Sequence, residues 1–224
     1  MKASFVIPVK DGSSFIAETL KSCVEQKLKD IEIIVVDDGS TDRTVDIVRG
    51  FAEKDKRIVL IQHEKNLGRS IARNTGIASA KSDIILTQDA DDIAHPMRAL
   101  ETVKYFKLHP GVDIVSTKAQ MIDLDGVVLG VLDTQPFSFE NVKKELFTRI
   151  VHSSMAFRKN VFEKVQYTDG DYSKHAIDDW KFQIDAHKAG FKFGYLTKKL
   201  VYYRHIAKER DENKIMGLKK SCLN

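Results

Sequence analysis

Hydrophobic positions change their period along this chain, and the changes mark its elements. Ala3–Val9 and Ile31–Val36 are nearly continuous apolar runs rich in β-branched residues, and Ile58–Gln62 and Ile84–Gln88 are shorter ones. Such runs read as buried strands. Between them lie stretches with helical spacing, Phe15–Glu25, Thr41–Glu53 and Ser70–Ala80. Ser13 and Ser14 are available to cap the first helix, and a Ser-Thr-Asp cluster opens the second. Regular strand–helix alternation predicts βαβ units and a mostly parallel sheet flanked by helices. Strands in such a sheet are covered on both faces, so Ile33-Ile34-Val35-Val36 needs no polar alternation.

Beyond residue 112 the alternation stops. Asp113–Gln120 and Val127–Leu132 are predicted to pair as a hairpin across Asp125-Gly126, a favoured turn dipeptide. Phe139–Phe147 reads as a helix and Ser154–Arg158 as a strand. Ile177, Trp180 and Ile184 recur at helical spacing, which predicts a helix over Asp178–Ala189 closed by Gly190. Phe193–Leu196 and Val201–Arg204 read as two short strands, and the tail from Ala207 as helical or frayed. The expectation is one continuous α/β domain in two parts, 1–112 and 113–224, the second smaller and mixed.

Composition adds exclusions. With 224 residues, 42% hydrophobic and 30% charged, the chain can bury a sizeable core. Its 36 basic residues barely exceed 32 acidic ones, and the two are interspersed, so no nucleic-acid partner is expected. Cys23 and Cys222 stand far apart with no CxxC pair, which argues against a zinc or redox site and fits a reducing compartment. Met1–Pro8 is too short and too soon interrupted for a signal peptide. No apolar run approaches the ~20 residues that span a bilayer. The expected location is cytoplasmic, with peripheral association at the inner face of the membrane left open.

Candidate chemistry sits at the strand ends. In open α/β sheets ligands bind beyond the carboxyl ends of the strands. Those tips are Pro8 to Asp11, Asp37 to Thr41, His63 to Asn66 and Asp89 to Asp92, and three of the four carry Asp. Asp89-Ala90-Asp91-Asp92 gathers carboxylates that repel unless a cation joins them. Mn²⁺ or Mg²⁺ fits, since both take carboxylate and phosphate oxygens. An Asp-rich turn before the helix near Pro96 is the open alternative. Asp38 and Ser40 either cap a helix or meet a base or ribose. Gly68 precedes a helix start, where anions are attracted. Arg73, one turn on, either neutralises a phosphate, stacks on a base, or is an ordinary surface arginine. His152-Ser153-Ser154 is either catalytic or core. Asp178-Asp179 either carries chemistry or only complements a helix dipole.

Taken together, six motifs resemble the family 2 glycosyltransferases of the GT-A fold. They are Ile7-Pro8-Val9, Val35–Thr44 (VVDDGSTDRT), Asn66–Gly76 (NLGRSIARNTG), Asp89–Asp92 (DADD), His152–Lys159 (HSSMAFRK) and Asp178-Asp179-Trp180, in the family's order. The resemblance implies a GT-A fold with a Rossmann-like, mostly parallel sheet. Residues 1–112 would bind the nucleotide sugar, and 113–224 would bind the acceptor and supply the base. It implies that Pro8, Val9, Asp11 and Asp38 line the base pocket and that Arg73 stands by the base and diphosphate. Asp89 would touch the ribose, and Asp91, with His205, would hold Mn²⁺ or Mg²⁺. Asp179, paired with Asp178 where the family has Glu-Asp, would be the general base. The implied reaction is inverting transfer from a nucleotide diphosphate sugar, UDP-sugar favoured, in polysaccharide or glycoconjugate synthesis. The acceptor would be a glycan, a lipid-linked sugar or a protein. Where the family carries an aromatic residue and Asn after the first strand, this chain carries Lys10 and Asp11.

Two other readings compete. A nucleotidyltransferase would carry a Gly-rich phosphate loop after the first strand, and Pro8-Val9-Lys10-Asp11-Gly12-Ser13 has one Gly. A non-catalytic nucleotide-binding module would need no base, and Asp178-Asp179 argues against it.

Overall fold

A computed structural model describes residues 2–174, 177–206 and 212–223. Its first half follows the predicted alternation: β1 (Ala3–Val9), α1 (Ile16–Val24), β2 (Ile31–Asp37), α2 (Thr44–Lys54), β3 (Ile58–Gln62), α3 (Arg69–Ser79) and β4 (Ile84–Thr87). A short β5 (Ile93–Ala94) and α4 (Arg98–Leu108) lead to the hairpin of β6 (Ile114–Ile122) and β7 (Val128–Val131). Then come α5 (Phe139–Glu145), a 3-10 turn at His152–Ser154, β8 (Ala156–Arg158), α6 (Asn160–Lys164) and α7 (Asp171–Lys174). The chain closes with α8 (Asp178–Lys188), β9 (Phe193–Arg204) and α9 (Glu212–Leu223). Among the described residues, no helix is long and apolar enough to cross a membrane.

One sheet runs through both halves in the order β3-β2-β1-β4-β8-β6-β9-β5, with β7 paired to β6. Strands β3, β2, β1 and β4 are mutually parallel, so their carboxyl ends emerge side by side. Val9 lies opposite Asp37, and Asp37 opposite Gln62. The register therefore lines up the polar tips that follow these strands. Beyond β4 the sheet turns mixed: β8 is antiparallel to β4 and β6, and β9 is parallel to β6 and antiparallel to β5.

Alternation along the strands splits the core. Phe5, Ile7, Ile33 and Val35 pack with Ile16, Leu20, Cys23, Val48 and Phe106 on one face. Val6, Ile34, Val36 and Ile85 pack with Ala72, Ile77, Phe157 and Phe182 on the other. Cys23 behaves as a small buried hydrophobe, and burial pushes its thiol up to about 12. A smaller cluster of Val142, Ile177, Trp180, Ile184 and Ile215 fastens α8 to its neighbours, on the face the helical spacing predicts.

Two local expectations are corrected. The two short strands at the end are one, β9, because a register shift steps past exposed Thr197 and Lys198, and pairing with β6 resumes at Lys199. That polar crossing reads as a break in the sequence. Ser13 and Ser14 do not cap α1. Ser13 N–H instead donates to Asp42 Oδ2 at 3.0 Å, while Asp42 Oδ1 accepts Thr44 N–H at 2.9 Å and opens α2.

Helix α3 lies close to the sheet because of Gly76. A Cβ there would meet Val6 Cγ1 at 2.5 Å and Val36 Cγ2 at 3.1 Å, both stiff β-branched groups. Gly76→Ala is therefore expected to lower stability by ~1–3 kcal/mol, overpacking outweighing the gain in helix propensity. Val6→Ala in the same chain should recover part of that loss. Urea unfolding of both singles and the double checks it, and strict additivity would contradict the predicted contact.

Candidate functional site

The loops after β1 and β2 are zipped together. Asp11 N–H donates to Ser40 Oγ at 2.8 Å and Gly12 N–H to Thr44 Oγ1 at 2.8 Å. Thr41 N–H returns a bond to Asp11 Oδ1 at 2.8 Å. Asp11 takes a left-handed backbone, φ 48°, a conformation short polar side chains tolerate. Its Oδ2 pairs with Lys10 Nζ at 2.5 Å. Beneath this zipper Pro8 and Val9 are buried, and Val9 O accepts Asp38 N–H at 2.8 Å.

Asp38 is not presented openly at the strand tip. Its carboxylate is buried and accepts from His63 Nδ1 at 2.8 Å, Leu67 N–H at 2.9 Å and Gly68 N–H at 2.8 Å. It buckles the loop that launches α3 and caps no part of α2. Gly68 enters α3 at φ 102°, with the Asp169 carboxylate 2.8 Å from where a Cβ would stand.

Arg73, one turn into α3, is 3% exposed, so it is no surface arginine. It pairs with Asp178 Oδ2 through Nη1 and with Asp89 Oδ1 at 3.0 Å through Nη2, and it lies 5.2 Å over the Tyr167 ring. Burial alone would lower its pKa, but the flanking carboxylates outweigh that and raise it. Arg69 adds a second contact to Asp178 Oδ1 at 3.2 Å, and Ser70 Oγ donates to Asp178 Oδ2 at 3.2 Å. Against the opposing effect of burial, the two arginines hold the Asp178 carboxyl below its usual range. Asp178 is thus engaged on both oxygens at the opening of α8. The next residue, Asp179, is partly exposed.

The acidic tip after β4 resolves into three environments. Asp89 N–H donates to Ser153 Oγ at 3.0 Å, and His152 Nδ1 lies 3.2 Å from its Oδ1. Burial opposes ionisation there, but His152 and Arg73 hold the carboxyl well below its usual range. Asp92 is buried, and burial together with Asp89 and Asp91 pushes its carboxyl well above the ordinary range. Its Oδ1 accepts Arg204 N–H at 2.8 Å. Asp91 stays partly exposed, with its carbonyl accepting Arg204 Nε at 2.9 Å. Like charges are tolerated here because cations flank Asp89, while the crowding that remains shows in the upward push on the Asp92 carboxyl.

Arg204 organises the far side of this tip. Besides Asp91 and Asp92 it binds the carbonyls of Asp123 and Leu124 at 2.9 and 2.6 Å, pairs with Glu18, and lies 4.8 Å over the Phe15 ring. His205, the next residue, is exposed, and its N–H donates to Ile122 O at 2.9 Å. Arg98 braces the tip from below, donating to Gln88 Oε1 at 2.5 Å and Thr87 O at 2.6 Å. Burial brings its pKa down to about 10, which keeps it charged at neutral pH. Neither arginine stands out in the sequence. An arginine ending a strand beside a candidate ligand, as Arg204 does beside His205, is the only signal available, and Arg98 offers none.

Among the described residues no three His, Cys, Asp or Glu side chains gather into a closed metal cage. The tip offers a cation the partly exposed Asp91 carboxylate, and Mn²⁺ or Mg²⁺ of the open kind needs only one or two carboxylates, supplemented by phosphate oxygens and water.

A family model described as Glycosyl transferase family 2 matches residues 4–166. An uncharacterized glycosyltransferase of Methanocaldococcus jannaschii, MJ1057, is 31% identical over 197 residues, covering 87% of this chain and 67% of that protein. The amylovoran biosynthesis glycosyltransferase AmsB of Erwinia amylovora is 28% identical over 228 residues, covering 97% of this chain and 74% of AmsB. EpsJ of Bacillus subtilis, an uncharacterized glycosyltransferase, is 44% identical over 89 residues, only 40% of this chain and 26% of EpsJ. The structure of S. aureus TarS 1-349 with UDP-GlcNAc superposes at TM-score 0.78 with 21% identity, over 99% of this chain and 66% of that one. The mannosyltransferase PcManGT of Pyrobaculum calidifontis, with GDP-Man and Mn²⁺, superposes at TM-score 0.67 with 22% identity, over 94% of this chain and 58% of that one. At such identities the two structures speak for the fold. The sheet order, the polar tips and the motif match agree: the chain adopts the GT-A fold and belongs to glycosyl transferase family 2.

Proposed function

We propose that the protein transfers a sugar from a nucleotide diphosphate donor, UDP-sugar favoured, to an acceptor hydroxyl with inversion. The observation that carries this reading is Arg73, whose two ends join Asp89 at the acidic tip to Asp178 at the opening of α8. That bridge puts the donor tip and the partly exposed Asp179 at one end of the sheet. Pro8, Val9 and Asp11 shape the base pocket from the zipped loops. Asp38 acts on it by holding residues 63–68 in place. Asp89 meets the ribose.

Mn²⁺ or Mg²⁺, held by Asp91 with His205 alongside, would supply charge neutralisation for the leaving diphosphate. Asp179 removes the acceptor hydroxyl proton as the oxygen attacks the anomeric carbon. One bond to that carbon forms as the bond to the diphosphate oxygen breaks, and the proton ends on Asp179. A single displacement inverts the centre. The acceptor is a glycan, a lipid-linked sugar or a protein in polysaccharide or glycoconjugate synthesis, a class in keeping with AmsB as an amylovoran biosynthesis glycosyltransferase.

Three outcomes are expected. Donor turnover should require Mn²⁺ or Mg²⁺, and Asp91→Ala should lose nearly all transfer; full activity in excess chelator contradicts the metal role. Asp179→Asn should lower kcat by ~10²–10⁴ with donor Kd little changed. Asp178→Asn leaves Arg73 and Arg69 short of a buried counter-charge, so its main effect should be a stability loss of about 3 kcal/mol. Kinetics and melting of the two variants decide between them, and wild-type kcat for Asp179→Asn overturns the base assignment. Finally, Asp38→Ala should weaken UDP binding and also lower stability by ~1–3 kcal/mol, since it strands the His63 ring and two loop amides. Calorimetry with a parallel melt checks it, and unchanged UDP affinity reduces Asp38 to a loop brace.

A further inference from the structure

His152 and Tyr167 are buried beside Asp89, and the proposed chemistry leaves both unused. The Tyr167 hydroxyl lies 3.0 Å from His152 Nε2, and the rings meet edge to face at 5.7 Å. The other ring nitrogen, Nδ1, lies 3.2 Å from Asp89 Oδ1 and 3.4 Å from Arg73 Nη2.

The inventory of donors gives this chain a direction. Burial raises the Tyr167 pKa well above its usual value, so the phenol keeps a proton to donate. An ionised carboxylate can only accept. In a neutral imidazole the phenol donates to Nε2 and the proton sits on Nδ1, facing Asp89 Oδ1; in an imidazolium both nitrogens carry a proton, and Nδ1–H faces Asp89 all the same. The opposite tautomer would set a nitrogen lone pair against a carboxylate oxygen.

Both ends of the chain are anchored. Tyr167 stacks on Phe182 at 4.4 Å and 7°, and its backbone exchanges two hydrogen bonds with Asn74, at 2.9 and 3.0 Å. Thr87 Oγ1 holds the His152 carbonyl at 2.5 Å, and Ser153 takes the Asp89 N–H. Consecutive residues of the 3-10 turn therefore grip the main chain and the side chain of Asp89. Arg73 and His152 both contact Oδ1, and Oδ2 receives neither.

We infer that His152, oriented by Tyr167, is a positioning residue that sets the direction of the Asp89 carboxylate and so the affinity for the donor nucleotide. This rests on the donor reading given above. Groups that orient a metal-binding side chain from behind typically change affinity by ~10–100-fold when removed, and the same scale is expected for Asp89. UDP, and separately GDP, titrated with Mn²⁺ by calorimetry provides the test, with circular dichroism and a melt on every variant. His152→Leu should weaken binding by ~10–100-fold. His152→Asn should restore it to near wild type, because the amide nitrogen takes the place of Nδ1–H. Tyr167→Phe should weaken it by roughly three- to tenfold, a fraction of the full effect. Combined with Asp89→Ala, His152→Leu should add no further loss.

A bystander core histidine predicts otherwise. Wild-type affinity in His152→Leu or Tyr167→Phe, a folded His152→Asn as weak as His152→Leu, or losses that add to Asp89→Ala would each overturn the assignment. If His152→Leu does not fold, His152→Asn and Tyr167→Phe carry the test. If the folded wild type binds neither UDP nor GDP, the donor reading fails and this assignment fails with it. If it binds one of them and the His152 variants bind equally, only the assignment fails.

Discussion

The buried guanidinium of Arg73 is the contact on which this site depends. It belongs to the first half of the chain, on α3, and reaches Asp178 in the second half and Asp89 on the neighbouring tip. Two carboxylates and an arginine out of water are stable only together, because each ion loses solvation that its partners replace. Removing one member strands the others. The same network therefore joins the two halves of the sheet and sets the distance between the acidic tip and the opening of α8. Packing of Gly76 against Val6 and Val36 decides where α3 lies, and hence where Arg73 reaches.

A second arginine does comparable work with backbone groups. The Arg204 guanidinium gathers carbonyls from the acidic tip and the β6–β7 turn and Glu18 on α1, while its main-chain N–H holds the Asp92 carboxylate. A planar fork with five donors suits such a junction, and a lysine would not. Four Asp residues of very similar sequence context thus end in three states. Cations hold the Asp178 and Asp89 carboxyls below their usual range, burial and its acidic neighbours push Asp92 above it, and Asp91 remains partly open to solvent. Environment rather than residue type assigns their work.

The chain spans 67% of the length of MJ1057 and 66% of the compared TarS chain. The shared part contains the whole sheet with its polar tips. What the longer proteins add lies outside the alignment, and in the irregular half β6–β9 and α5–α8 replace the βαβ alternation.

Sequence alone located the elements from β1 to β4 to within about three residues, while β5 went unassigned and α4 was only a helix near Pro96. Continuous apolar runs and helical spacing are local signals, and β1, β2, β3 and β4 fall where they predict. The strand-tip rule then located the polar clusters, and six ordered motifs gave the family. Only the tertiary structure decided what each polar residue does. Asp38 looks like an open tip residue but is buried under the loop at 63–68, because its partners lie 25 to 30 positions away. Arg73 reads in sequence equally as a phosphate, base or surface arginine until Asp178, 105 positions on, is placed against it. The division of Asp178 from Asp179, the Tyr167–His152–Asp89 chain and the role of Arg204 rest on such distant pairings. Burial and charge at a site are sums over neighbours in space, and a linear pattern carries only neighbours in sequence.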